Sequence, residues 1–365
     1  MRILVICETI DFQNFTSRYT TEALGRANAQ TVALCHTHVR NLFKTNLFSK
    51  FLNVTCYYGL IPFGRKRGIL RKLEYLMKVR WQRFFRKFDV VVISCPNQNY
   101  FLDFITPDQK VVYLICDPYC LMDYSREKEL EVLHRADLIM ATAKNLADIY
   151  VKKYYNLDKS ERTHFWPNCV EVSVWKADDQ YHKTSNAKPV IGFAGNFMKL
   201  VDLQLLEKVV KKFNDCQIII CGKISYNNPE YRAFLDKIFQ YPNVLFKGFI
   251  PYAELPAEVQ KWDICIMVDD VSELSSYHHH NKLYQYLALG KPVVAQRNQR
   301  DHDLLADIIY LADTHEEYLV QLEKALNEND NGTLYQKRIK AAHANSADAR
   351  AQQLKTEILK LCGSR

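Results

Sequence analysis

Short apolar runs rich in valine and isoleucine recur along this chain without alternating polar and apolar residues. In the first half they are RILVIC, TVALC, NVTCYY, DVVVIS, KVVYLI and ADLIMAT. A strand apolar on both sides must be covered on both sides, and with helical patterns between the runs such strands build a mostly parallel sheet. The pattern restarts after the polar stretch VWKADDQYHKTSNAKP, as VIGFAG, the helix-like VDLQLLEKVVKKF, CQIIICG, NVLFKGF, WDICIMV, KPVVAQ and DIIYLAD. The expected fold is therefore α/β, with two Rossmann-like domains facing across a cleft. The expected divisions are a first domain over 1–170, a linker over 171–187, a second domain over 188–344 and a C-terminal helical segment over 345–365 that packs on the second domain or crosses back to the first. A chain of 365 residues has enough material for two such cores.

No apolar run reaches the length of a membrane span, and MRILVICETIDF is interrupted at Glu8, so it reads as a buried strand rather than a signal peptide. A cytoplasmic protein is the expectation. The eleven cysteines sit mostly in apolar runs, as buried thiols do, and Cys116 with Cys120 lacks the second pair that a structural zinc site needs. Charge is uneven. Residues 1–170 hold 25 Lys/Arg against 16 Asp/Glu, whereas residues 171–365 hold 24 against 25. A basic first half favours an anionic partner or surface.

Much of that excess lies in RKRGILRKLEYLMKVRWQRFFRKF, residues 65–88, which has ten Lys/Arg and one acid, Glu74. On a helix, Leu70, Leu73, Leu76 or Met77, Trp81, Phe84, Phe85 and Phe88 fall largely on one side. Two readings stay open: a helix packed by its aromatic side onto the first sheet, or an amphipathic helix lying on the anionic inner face of the cell membrane. Nucleic acid is disfavoured, because no zinc-finger spacing, aromatic ribonucleoprotein motif or basic tail accompanies the charge.

In doubly wound sheets ligands bind beyond the carboxyl ends of the strands. Two stretches of the second half stand there. NKLYQYLALG reads as a short helix stopped by Gly290, with Lys282 and Gln285 three apart on one face. Its unbonded first N–H groups, near His280, Asn281 and Lys282, can receive an anion. GFAGNFMKLVD places Gly192 and Gly195 in the turn after a strand, where a missing side chain lets backbone approach a ligand, followed by Asn196 and Lys199. Neither stretch has the GxGxxG or GxxxxGK[ST] spacing, so neither a nicotinamide cofactor nor ATP is favoured and no cofactor is expected. Of His278, His279 and His280, only some can face one ligand. Asp301-x-Asp303 is a common chance spacing and is read as loop acids, so no bound metal is expected.

PVIGFAGNFMKLVDLQLLEKVVKKF, CQIIICG, PNVLFKGFIPYAELPAEVQKWDICIMV and NKLYQYLALGKPVVA, taken in order, resemble the donor half of GT-B type glycosyltransferases, closely over residues 188–296 and more loosely before them. The branch most resembled includes teichuronic-acid-type enzymes and the glucuronosyltransferase of xanthan assembly. The resemblance implies a GT-B arrangement, a nucleotide-sugar donor held on the second domain, no bound divalent ion, and a role for Lys282 and Gln285 at the donor diphosphate. Many relatives carry glutamate where Gln285 stands, and the usual earlier glutamate is matched only loosely, by Glu273. THFWPNCVEVSVW resembles the segment that ends the first domain of many relatives, with Cys169 in place of a glycine.

Transfer to a hydroxyl needs charge stabilised on the leaving diphosphate and, for an inverting enzyme, a base. Asp117, directly after KVVYLI and before a proline, is the expected catalytic base; its alternative role is to cap that turn. Asp11, Arg18 and Tyr19 are the expected acceptor-side residues. The expected function is transfer of a sugar, UDP-linked, to a surface polysaccharide or lipid-linked glycan acceptor. The alternatives are a nucleotide-sugar epimerase and a non-enzymatic nucleotide-sugar-binding protein.

Overall fold

The computed structural model describes residues 1–7, 15–28, 30–36, 48–51, 54–59, 79–122, 124–177, 186–298, 300–328 and 332–363. Side chains are described for the same residues except 7, 15–20, 35–36 and 48–59. The chain divides into two compact units, one of Met1–Asn168 with Ala347–Arg365, the other of Cys169–Ser346.

The first unit is built on strands β1 (Ile3–Cys7), β2 (Thr31–His36), β3 (Phe48–Phe51), β4 (Val54–Gly59), β5 (Val90–Ile93), β6 (Lys110–Ile115), β7 (Leu138–Ala141) and β8 (Thr163–Phe165), in the sheet order β3-β4-β2-β1-β5-β6-β7-β8. All neighbours are parallel except β3 with β4. Every residue of β5 and β7 is buried, as a sheet covered on both faces requires. The C-terminal helix Ala347–Gly363 packs in this unit against the helix Phe15–Ala27, and the Trp166 indole N–H donates to the Arg350 carbonyl at 2.9 Å.

Residues 79–85 are helical, and their aromatic side turns inward. Phe85 is fully buried and stacks on Phe101 at 5.6 Å between ring centroids, and Phe88 is buried too. The Gln109 amide donates to both the Phe85 and Phe88 carbonyls at 2.7 Å, tying off the end of the turn. For this described part, Phe85 and Phe88 are therefore core residues rather than residues inserted in a membrane. Arg80, Arg83, Arg86 and Lys87 remain exposed; residues 65–78 lie outside the described residues. Among the described residues no helix is long and apolar enough to cross a membrane.

The second unit has β9 (Val190–Ala194), β10 (Gln217–Cys221), β11 (Val244–Gly248), β12 (Ile264–Met267), β13 (Val293–Gln296) and β14 (Tyr310–Ala312), all parallel, in the order β11-β10-β9-β12-β13-β14. Successive residues of β9 serve opposite cores: Ile191 and Phe193 face one, Val190 and Ala194 the other. Gly192 has a packing role, because a Cβ there would lie 1.9 Å from the buried Trp262 ring; it leaves no room for a ligand. Trp175 is buried in the same unit, with Val172 and Val174 against its core, so the described start of the polar stretch is packed structure. The eight described cysteines are free thiols. Cys169 is buried, and Asn156 is the one non-glycine residue with positive φ among those described, so Cys169 needs no glycine-like backbone.

Since Phe85 is enclosed by aromatic rings, Phe85→Ala is expected to cost about 3–5 kcal/mol of stability. Urea unfolding measures it, and a change under 1 kcal/mol would mean that this side chain is not core.

Candidate functional site

At the carboxyl end of the second sheet, the loop 195–202 leaves β9 and is pinned along its length. The Gly195 N–H donates to the Cys221 carbonyl at 2.9 Å and the Phe197 N–H to the Lys223 carbonyl at 2.7 Å. On the other side the Asp202 N–H donates to Val268 at 2.9 Å and the Asp270 N–H to Leu200 at 2.8 Å. Gly222, with φ +153°, makes the crossing possible, since a Cβ on it would lie 1.8 Å from the Gly195 carbonyl oxygen. The helix Leu203–Lys212 follows, its first turn capped by the Asp202 carboxylate, which accepts from the Leu205 N–H.

The helix Asn281–Ala288 is brought to this loop by Tyr286. Its buried hydroxyl accepts from the Ala194 N–H at 2.9 Å and donates to the Ala194 carbonyl at 3.2 Å. Lys282 lies one turn earlier on the same face. Its ammonium is therefore beside the loop, 5.0 Å from the centre of the Phe193 ring and 3.8 Å from where a Gly195 Cβ would be. Gly290, at φ +68°, ends the helix region as expected, and a Cβ there would strike the Tyr335 ring at 2.1 Å.

The Lys282 ammonium donates to Asp269 Oδ1 at 3.3 Å, and His280 Nε2 lies 3.3 Å from Asp269 Oδ2 without hydrogen-bonding geometry. A fifth of the His280 side-chain surface is exposed (20%), yet Nε2 itself is enclosed. Burial drives the His280 imidazole down to about 3 against the pull of Asp269, so it is neutral at neutral pH. Burial alone would raise the Asp269 carboxyl, but His280 and Lys282 hold it below its ordinary value. His302, fully enclosed behind them, is also depressed by burial and holds the Gln296 carbonyl through Nδ1 at 3.0 Å. Asn281 Oδ1, Gln296 Oε1 and Asn298 Oδ1 are buried with no hydrogen-bond partner among the described residues. Such atoms suit a polar ligand, because buried polar groups are ordinarily satisfied.

The expected residues fall out as follows. Gly195, His280, Asn281 and Lys282 belong to this cluster. Gln285, one turn past Lys282, is largely buried. Asn196 is exposed and accepts from the Lys223 N–H at 3.4 Å, and Lys199 is exposed on the loop. His278 bonds to the Leu274 carbonyl and its ring lies parallel to that of His280, whereas His279 stacks on Tyr284. Asp303 pairs with Arg297, and Asp301 is buried. Among the described residues no group of three or more His, Cys, Asp or Glu could hold a metal ion. Asp269 and His302 had no motif to mark them: both become visible only where β12 and β13 end side by side.

In the first unit Asp117 stands two residues past the end of β6 and is half-buried. Asp11 lies outside the described residues; Arg18 and Tyr19 lie on the helix Phe15–Ala27, with side chains outside them. A pocket of about 520 Å³ opens at the opposite, amino ends of β5 and β6, between Arg86, Asp108 and Cys362.

The depressed histidines set an acid limit. Below pH ~6.5 the unfolded chain binds protons that folded His280 and His302 refuse, so this contribution to stability is complete above that pH and falls as the pH drops, for His280 down towards its folded value of about 3. His280→Gln is expected to flatten the fall in urea midpoint between pH 7 and 5; an unchanged slope would remove His280 from it.

Comparison with known proteins places this geometry. Residues 188–327 match the family model described as glycosyl transferases group 1. Over 215 residues the chain is 24% identical to TuaH of Bacillus subtilis (strain 168), which carries the name of a teichuronic acid biosynthesis glycosyltransferase. That match covers 57% of this chain and 53% of the relative, about half the relative's length. Among solved structures, Anabaena Alr3699/HepE in complex with UDP is similar at TM-score 0.76 and 12% identity, over 99% of this chain and 100% of that one. Sucrose-phosphate synthase from Thermosynechococcus elongatus is similar at TM-score 0.73 and 13% identity, over the whole of both chains. The fold of this chain is that of the GT-B glycosyltransferases, with the sequence match to group 1 lying in the unit that holds Lys282.

Proposed function

We propose that this chain is a glycosyltransferase that moves a sugar from a UDP-linked donor to a hydroxyl of a surface polysaccharide or lipid-linked glycan. The observation that carries the reading is the Lys282 ammonium, held between Asp269 and the Phe193 ring at the open start of a helix. That start offers free N–H groups and a fixed cation, which together suit a diphosphate. The UDP and UDP-glucose complexes of Alr3699/HepE support the nucleotide, and TuaH supports an envelope glycan as product.

In this reading Lys282, with the N–H groups near Asn281, takes up charge as the bond from the anomeric carbon to the diphosphate breaks. Gln285, one turn further on, bonds to the nucleotide or sugar, and Gly195, Asn196, Lys199 and His280 line the same donor site. In an inverting transfer the acceptor oxygen bonds to the anomeric carbon, and its proton passes to Asp117. Asp11, Arg18 and Tyr19 are assigned to the acceptor. The earlier likeness to the xanthan-assembly enzyme adds a lipid-linked acceptor at the inner face of a membrane.

A split between binding and turnover tests these roles. Lys282→Ala is expected to weaken UDP binding about ten- to hundredfold, the loss of one charge-assisted contact, with a smaller effect for Gln285→Ala. Asp117→Asn is expected to keep UDP affinity and lose about 10²–10⁴ in turnover of the best UDP-sugar of a panel. A folded Lys282→Ala protein with unchanged UDP affinity would end the donor assignment, and normal turnover by Asp117→Asn would end that of the base.

Membrane contact is assigned to the cations of residues 65–88, of which Arg80, Arg83, Arg86 and Lys87 are described and exposed. With Phe85 and Phe88 buried, the described part contributes electrostatics alone, about 1 kcal/mol per cation near the surface. Co-sedimentation with vesicles rich in phosphatidylglycerol is therefore expected at 20 mM salt, about as low as screening requires, and is expected to weaken strongly at about 0.5 M. No binding at low salt would refute the contact.

A further inference from the structure

Beneath the loop that carries Asp117 lies a buried carboxylate that the reaction does not use. Glu129, on the helix Arg126–Arg135, is fully buried and accepts from three phenol hydroxyls: Tyr113 at 3.0 Å, Tyr150 at 2.8 Å and Tyr155 at 2.5 Å. Burial raises its carboxyl above the ordinary value despite these donors, so the cluster is an expensive one to keep in a core. The Tyr113 hydroxyl ends there, whereas the Tyr155 hydroxyl also bonds to the Cys120 thiol and to the Tyr150 hydroxyl. Tyr150 reaches the backbone, because its oxygen accepts the Cys120 N–H at 2.9 Å.

Cys120 is three residues past Asp117, in the short turn Tyr119–Leu121. The loop is held at its other points as well. The Thr142 hydroxyl donates to the Cys116 carbonyl at 2.9 Å, the Tyr119 N–H donates to the Asp117 carbonyl at 2.9 Å, and the Tyr119 hydroxyl donates to the Ser94 carbonyl at 2.7 Å. The Leu121 N–H on the Pro118 carbonyl at 2.8 Å and the Met122 N–H on the Tyr119 carbonyl at 3.0 Å close the turn, and Tyr150 supplies the described restraint on the Cys120 N–H between them.

We infer that Tyr150, oriented by Glu129, is a positioning residue for Asp117, fixing the loop through the Cys120 N–H so that the carboxylate stands ready for the acceptor proton. This rests on the assignment of Asp117 as base. Glu129 fixes the direction of the Tyr150 lone pair by accepting the hydroxyl's hydrogen bond, which leaves the oxygen to accept from the backbone. Tyr113 is an internal control, since it gives Glu129 an equivalent hydroxyl that bonds nothing on the loop.

Tyr150→Phe and Tyr113→Phe in the full chain separate positioning from packing. Tyr150→Phe is expected to lower kcat for hydrolysis of the best UDP-sugar about ten- to hundredfold, with UDP affinity unchanged, as a small misplacement of a reacting group does. Hydrogen exchange across residues 117–121 is expected to speed up in the same variant. Tyr113→Phe is expected to leave kcat and loop exchange near normal. Equal effects of the two variants, or unchanged loop exchange in Tyr150→Phe, would overturn the proposal. If Tyr150→Phe does not fold, the unaltered protein still decides: fast exchange at the Cys120 amide would overturn it, and slow exchange would support it. Should Asp117→Asn turn over normally, the catalytic half fails with the base, while the exchange comparison still tells whether Tyr150 holds the loop.

Discussion

The Tyr286 hydroxyl, giving and taking a hydrogen bond with the backbone of Ala194, is the contact on which the proposed donor site depends. It joins the start of a pinned loop to the helix that carries Lys282, and it does so in a fully buried setting where neither bond competes with water. Without it, the helix would be located only by apolar contacts of Leu283, Leu287 and their neighbours, which fix distance better than orientation. A cation must point the right way as well as lie nearby. Tyr286 fixes the turn, and the turn fixes Lys282.

Asp269 completes that arrangement at a cost. A carboxylate buried at the end of β12 is tolerable only beside Lys282, and Lys282 in turn is kept extended over Phe193 rather than free in solvent. The site is thus ordered before any ligand arrives, as electrostatic catalysis requires. Enclosed, neutral histidines behind it add polarity without positive charge at neutral pH. The first unit solves the same problem with neutral groups, where three tyrosines satisfy one acid and one of them holds a backbone N–H.

The sheets were legible because parallel strands buried on both faces leave unbroken Val/Ile runs, and VIGFA, QIIIC and ICIM all fall where their runs predict. Lys282 was legible through helix spacing and the Gly290 stop. Asp269 and His302 were not, since their meaning comes from strands adjacent in space and distant in sequence. Gly192 misled for a physical reason: a glycine admits a neighbouring tryptophan as readily as a ligand. Helical periodicity also found the aromatic side of residues 81–88, but periodicity gives a face and not what covers it, and for Phe85 the cover is the unit's own core. Glu129 had no signature at all, because its three tyrosines come from β6 and from the helical stretch 146–155, on the other side of it in sequence.

A crystal structure of the protein with UDP tests the central claim most directly. The account predicts both phosphates at the start of the helix Asn281–Ala288, with Lys282 Nζ about 3 Å from a phosphate oxygen and the loop 195–202 against them. A diphosphate bound away from that helix, with Lys282 still on Asp269, would contradict it.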